Sequence, residues 1–173
     1  MSKHCLILMR HGKSDWSSPG QADFDRPLAK KGVKAVPKMA AWLRDHDFLP
    51  DRILSSPALR ARQTTERLAA AIGFDAGAIS WDERIYNASL AELLEVVGAI
   101  GGEGGCVLLV GHNPGFDDLL EHLSASPPPR NDEDKLLTTA ALAVLDYGDA
   151  EFSTDAGSGT LLHLVRPGEL KDR

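Results

Sequence analysis

The feature that most limits the fold of this chain is the alternation of short, unbroken apolar runs with stretches of helical period. Cys5-Leu6-Ile7-Leu8-Met9 and Cys106-Val107-Leu108-Leu109-Val110 contain no charged or amide side chain. A strand with one wet face alternates apolar and polar residues, so such runs predict strands covered on both faces, as in a parallel sheet between helices. Over residues 30–46 the apolar positions Val33, Val36, Met39, Ala40 and Leu43 recur at helical spacing, with Pro37 expected to kink or shorten the helix. Residues 52–55 read as a second strand and 58–72 as a helix stopped by Gly73. Beyond it the pattern predicts a strand over 79–85, an amphipathic helix over 90–100, a flexible glycine-rich connection over 101–105 and the most apolar strand over 107–110. A helix over 116–123, a surface loop over 126–132, two last strands at 140–145 and 161–165 and a loose tail after Pro167 complete the reading. The expected fold is a single-domain α/β protein, a three-layer α/β/α sandwich with a mostly parallel sheet.

Length and composition agree with this. At 173 residues the chain is one domain's worth, enough to bury roughly 70% of the surface of its unfolded form. No apolar run approaches the roughly 20 residues of a membrane span, and the N-terminal run is too short and wrongly flanked for a secretory signal, so a cytoplasmic protein without membrane contact is expected. Cys5 and Cys106 have no partner spacing and read as small buried strand residues. The net charge of −6 argues against a nucleic-acid binder, whose affinity rests on phosphate neutralisation. That charge is unevenly placed: residues 1–62 carry a balance of +6 and the remainder −12, which suits a small anionic site near the N-terminal half.

Three strand exits carry residues with chemistry: Arg10-His11-Gly12, Ser56-Pro57-Ala58-Leu59-Arg60-Ala61-Arg62, and Gly111-His112-Asn113-Pro114-Gly115. In an open parallel sheet ligands bind beyond the carboxyl ends of the strands, so these exits can share one pocket. Each has a plainer reading as well. The last is also a good turn sequence, and Arg60 and Arg62 suit an exposed helix start. Gly12 would let the backbone approach a ligand beside an imidazole able to act as a nucleophile.

On these residues the chain resembles the histidine phosphatase superfamily, which includes the phosphoglycerate mutases. Within it the chain is similar to the short bacterial phosphohistidine phosphatases of the SixA type. The resemblance rests on Leu8-Met9-Arg10-His11-Gly12-Lys13-Ser14, Asp25-Arg26-Pro27-Leu28 with Lys31-Gly32, Ser55 to Thr64, and Val110-Gly111-His112-Asn113-Pro114, in the family's order. It implies a phosphoglycerate mutase-like core without a large inserted cap, and an open pocket. It also implies that His11 is the nucleophile and that Arg10, Arg60 and His112 cage the phosphoryl oxygens. Gly12 and Asn113 would join them at the substrate, with Arg62 peripheral. Glu83 falls where many members carry a general acid, although SixA-like members often dispense with it.

The expected function is therefore metal-independent phosphatase action through a phosphohistidine intermediate on His11, directed at phosphohistidine in a signalling or phosphotransfer protein. One alternative is a phosphatase of small phosphate esters with Glu83 as acid; another is a non-catalytic phosphate-recognition module. No cofactor, no metal and a monomer are expected. The absence of a GxxxxGK[ST] loop and of a GxGxxG fingerprint speaks against nucleotide hydrolysis and dinucleotide binding.

Overall fold

The computed structural model describes residues 4–101 and 105–170. Its centre is β1 (His4–Arg10), flanked on one side by β4 (Gly105–Gly111) and on the other by β5 (Leu142–Gly148). Outward from β4 lie β2 (Arg52–Ser55) and the two-residue β3 (Ser80–Trp81); outward from β5 lies β6 (Thr160–Val165). The order is therefore β3-β2-β4-β1-β5-β6, with the first four of that order parallel, β5 antiparallel to β1 and β6 antiparallel to β5.

The unbroken apolar runs are explained by helices on both faces. Along β1, Cys5, Ile7 and Met9 enter a core shared with α1 (Lys30–Asp45) and α2 (Leu59–Ile72), built from Val36, Met39, Leu43 and Leu68 among others. Leu6 and Leu8 enter the opposite core with α3 (Leu90–Gly98) and α4 (Gly115–Leu123), where Leu93, Val97, Phe116 and Leu120 pack. Burying a side chain of this size is worth roughly 1.5–3 kcal/mol, so the alternation of β1 between two cores is the main reason the three layers hold together.

Several expectations are corrected. Pro37 does not shorten α1, which runs on to Asp45. The proline sits on the exposed face, where water can serve the carbonyl that lost its partner, while the buried stripe continues unbroken. The strand expected over 79–85 shrinks to Ser80–Trp81, because β3 pairs only with the last two residues of β2. Asp82 then ends it by donating its N–H to the Ser55 carbonyl (2.9 Å) and accepting the Arg84 N–H (2.9 Å), which starts a 3-10 turn at Glu83–Ile85. The segment after Pro167 is not loose as far as it is described: Pro167–Glu169 forms a 3-10 turn and Leu170 packs on the α1/α2 core. Much of the glycine-rich connection, 102–104, lies outside the described residues. Cys5 and Cys106 are free thiols on paired strands, their sulfurs 3.3 Å apart.

The start of α1 is held close to the β1 exit by Gly32. A Cβ there would lie 2.5 Å from the Lys13 carbonyl oxygen and 2.9 Å from its nitrogen, both backbone atoms that cannot rotate away. Gly32→Ala is accordingly expected to lower stability by roughly 1–3 kcal/mol, measured as a lower urea midpoint with an unchanged slope.

Candidate active site

The parallel ladder continues past the strand ends and sets three exits side by side. The His11 N–H donates to the Gly111 carbonyl (3.0 Å) and the Ser56 N–H to that of Val110 (3.0 Å). On the other edge, the Ala140 N–H donates to the His11 carbonyl (2.9 Å). His11 and His112 follow neighbouring strands, and their ring centroids are 5.0 Å apart. Arg60, in the first turn of α2, extends back so that its Nε donates to His11 Nε2 at 3.3 Å. Arg10, His11, Arg60 and His112 thus form one cluster, with His11, Arg60 and His112 all under 9% exposed.

The His11 ring has a defined tautomer. Its Nδ1 lies 2.6 Å from the Gly12 carbonyl, which can only accept, so Nδ1 carries the proton and Nε2 the lone pair. Gly12 is itself fixed: its N–H donates to Thr64 Oγ1 (3.0 Å), whose hydroxyl donates to the Arg60 carbonyl (2.8 Å). Both polar groups of Gly12 are thereby occupied within the protein. Its missing Cβ makes room for Leu28 and for the backbone of Gly32, at 3.1 and 3.2 Å, and the residue lines neither cavity of the site. The glycine therefore also serves close packing against α1.

Burial lowers the His11 pKa to about 4; the Gly12 bond opposes this, while Arg60 and Arg10 add to it. Burial likewise lowers His112 to about 3, assisted by His11 and Arg60. Both rings are neutral near pH 7. His112 Nε2 lies 2.7 Å from Ser56 Oγ, which also accepts the Ala58 N–H at 3.3 Å. The arrangement that employs the serine proton has Ser56 donating to Nε2, leaving the proton of His112 on Nδ1. That nitrogen is buried and has no hydrogen-bond partner among the described residues, and the same holds for Arg10 Nε. Arg10 Nη1 donates to the Leu137 carbonyl (3.1 Å), and burial lowers its pKa against the pull of Asp117. The Asn113 amide spans two elements, donating to the Leu137 carbonyl (3.0 Å) and accepting the Asp117 N–H (3.1 Å).

A cleft of about 760 Å³ opens over this cluster, with Arg10, His11 and Arg60 in its wall and Lys13, Lys31 and Trp16 around it. A neighbouring cavity of about 450 Å³ shares Arg60 and Asn113 and adds His112, Asp23 and Tyr86. Trp16 is exposed and carries the Arg26 guanidinium 3.8 Å above its ring. Glu83 is exposed on its 3-10 turn and lines neither cavity, so the structure does not bring it into the cluster. Arg62 also points away, its guanidinium 5.8 Å from the Trp81 ring. Residues that the sequence reading did not single out are Ser56 and Thr64, inside a quoted motif, and Asp23 and Tyr86, each next to one. Their roles depend on contacts across 37 to 63 positions, which no local pattern displays. Among the described residues no helix is long and apolar enough to cross a membrane, and no group of three His, Cys, Asp or Glu side chains is placed to hold a metal ion.

A parallel-sheet core with two histidines and two arginines at adjoining strand exits defines a class, and residues 6–93 match the family model of the histidine phosphatase superfamily (branch 1). The chain belongs to that superfamily. It is 28% identical to the phosphohistidine phosphatase SixA of Escherichia coli over 96% of both chains. A crystal structure from Agrobacterium tumefaciens designated SixA superposes with a TM-score of 0.77 at 32% identity, covering 96% of this chain and 99% of that one. The protein histidine phosphatase SixA in complex with tungstate gives a TM-score of 0.78 at 25% identity, with the same coverage. An uncharacterised Mycobacterium tuberculosis protein is 40% identical over 61% of this chain, and the matched region spans 63% of that relative's length, under two thirds.

The depressed histidine pKa values make a pH prediction. An unfolded histidine titrates near pH 6.5, so as pH falls below that value the unfolded chain takes up protons that folded His11 refuses until about pH 4. Stability present above pH ~6.5 is thus lost toward pH ~4. Between about pH 7 and about pH 4.5 the wild type should lose on the order of 2–3 kcal/mol more than His11→Asn, read from urea midpoints.

Proposed function

We propose that the chain is a phosphatase in which His11 Nε2 takes the phosphoryl group, and that its substrate is phosphohistidine on a protein. The observation that carries this reading is the fixed His11 tautomer: Nδ1–H bonded to Gly12, Nε2 unprotonated and facing the Arg60 guanidinium. An unprotonated ring nitrogen can attack phosphorus at neutral pH once the Arg60 N–H that it accepts turns to a phosphoryl oxygen, and splitting the transfer into two displacements is the general logic of covalent catalysis.

In the first step the P–Nε2 bond forms and the bond to the leaving imidazole nitrogen of the substrate breaks, that nitrogen taking a proton. In the second, water attacks phosphorus, the P–Nε2 bond breaks, and the lone pair returns to His11 as phosphate leaves. Arg60 and Arg10 neutralise phosphoryl oxygens with a charge that persists at every working pH. His112, in the wall of the neighbouring cavity, would donate a ring N–H to such an oxygen, and preorganised donors of this kind are worth about 3–4 kcal/mol in a transition state. The similarity to a SixA that binds tungstate, a tetrahedral oxyanion, supports the same reading. The carboxylates in the cleft wall are Asp117, which accepts the Leu137 N–H at 3.1 Å, and Asp134, while Glu83 stands outside it; this favours a phosphoramidate, whose imidazole leaves more readily than an alkoxide, over an ester needing Glu83.

The test is phosphate release from a phosphohistidine peptide and from an aryl phosphate in excess chelator. His11→Ala is expected to lose turnover on both by at least about 10³-fold while keeping its unfolding midpoint at pH 7; retained activity would sink the mechanism. Glu83→Gln is expected to leave both rates within about twofold of wild type, since its exposed side chain lines neither cavity. A selective loss on the aryl ester would instead establish Glu83 as its proton donor and favour the ester reading.

A further inference from the structure

The Arg60 guanidinium is held by something other than the nucleophile. Its Nη1 donates to the Asp23 backbone carbonyl at 2.6 Å, and its Nη2 to the Asp23 carboxylate at 3.0 Å. Those two nitrogens form the end edge of the planar fork. Nε and the remaining N–H of Nη2 form its side edge, and Nε points at His11 Nε2. Asp23 therefore occupies the edge turned away from the nucleophile, and the side edge, whose Nε–H is bonded to His11 Nε2, is the one presented to a phosphoryl group there.

Asp23 is fixed in turn. Tyr86 O–H donates to the same carboxylate oxygen at 2.7 Å, and the Tyr86 ring is packed edge-on between Phe24 (centroids 5.1 Å apart) and His112 (5.5 Å). The 3-10 turn Asp23–Asp25, in the long connection between β1 and α1, is tied by these contacts to the turn after β3 and to both histidine-bearing exits. Burial on its own would raise the Asp23 pKa, but the bonds from Tyr86 and Arg60 together hold it below the usual carboxylate range. It remains an anion through neutral pH and is no proton donor.

We propose that Asp23, anchored by Tyr86, is a positioning residue that turns the side edge of Arg60 toward the phosphoryl group on His11. The proposal rests on the phosphate-handling role given to Arg60 above. A rival role for the same contact is competition, in which the carboxylate occupies Arg60 and incoming phosphate must displace it. The two differ in sign: loss of a positioning anion weakens oxyanion binding, and loss of a competitor strengthens it.

The experiment is calorimetric titration with inorganic phosphate of wild type, Asp23→Asn, Asp23→Ala, Tyr86→Phe and the Asp23→Ala/Tyr86→Phe double variant, with aryl phosphate kinetics alongside. Asp23→Ala is expected to weaken phosphate binding by about tenfold, with Asp23→Asn intermediate because its amide oxygen can still accept from Nη2. Tyr86→Phe should cost a few-fold alone and nothing further in the Asp23→Ala background, since it acts through the carboxylate. The unfolding midpoints should not move, because the Asp23 side chain is half exposed. The acid limb of kcat/KM should stay at or below its wild-type position, since Asp23 favours the protonated form of His11. Unchanged or tighter phosphate binding in Asp23→Ala overturns the proposal, as does an acid limb rising toward the ordinary histidine range, the mark of a merely loosened and hydrated site. Wild type that binds phosphate but turns over neither substrate refutes the catalytic reading and still decides on Asp23 by the binding data. Wild type that does neither overturns both.

Discussion

The short bond from His11 Nδ1 to the Gly12 carbonyl is the interaction on which the chemistry of the site depends. It decides which ring nitrogen holds the proton, and hence which keeps a lone pair. A bond of that kind to the residue's own successor would be loose in a free peptide. Here the Gly12 N–H is tied to Thr64, the Thr64 hydroxyl to the Arg60 carbonyl, and the glycine Cα to the start of α1. One buried threonine therefore holds both the peptide plane that orients the His11 ring and the helical turn that carries the arginine facing it.

Desolvation adds to this arrangement. Four cationic or potentially cationic groups are gathered in one small volume, and burial together with the permanent charge of the arginines drives both imidazoles neutral. Two charged histidines would lose the nucleophilic lone pair and repel their neighbours. Neutral ones give one acceptor nitrogen at His11 and one unpartnered donor at His112, set among guanidinium groups. An anion with several oxygens matches that polarity, and a metal cation does not, because the arginines would repel it. Asp23 fits the same logic from the far side, supplying a counter-charge to the one arginine edge that a phosphoryl group does not need.

Much of the fold is legible in the residues themselves. The two unbroken runs at β1 and β4 announce strands buried on both faces, and the cores on either side of β1 show why no polar residue is tolerated there. Gly73 ends α2 in the left-handed conformation, where a glycine is least strained. The misreadings occur where tertiary contacts outweigh local preference. Pro37 is tolerated because α1 turns it to water, and the strand expected over 79–85 stops early because β2 offers it only two partners. Leu170, in the segment expected to be loose, is held by the α1/α2 core, whose apolar surface lies far away in sequence.

By itself the sequence determined which chemistry is available and at which ends of which elements. Two His and two Arg follow strands or open a helix, and parallel sheets place such exits on one edge. What only the tertiary structure decided is how these groups are oriented and which neighbours share the work. The ladder order that sets β1 beside β4 and β4 beside β2, the Thr64 link, and the Asp23–Tyr86 hold on Arg60 all join residues dozens of positions apart. Glu83 stays outside the cluster, and Gly12 packs closely on the start of α1. Composition and periodicity report what a residue prefers from its immediate neighbours along the chain. The hold on the Gly12 peptide and the orientation of the Arg60 guanidinium are set by single hydrogen bonds between distant segments, and these come into being only when the layers close.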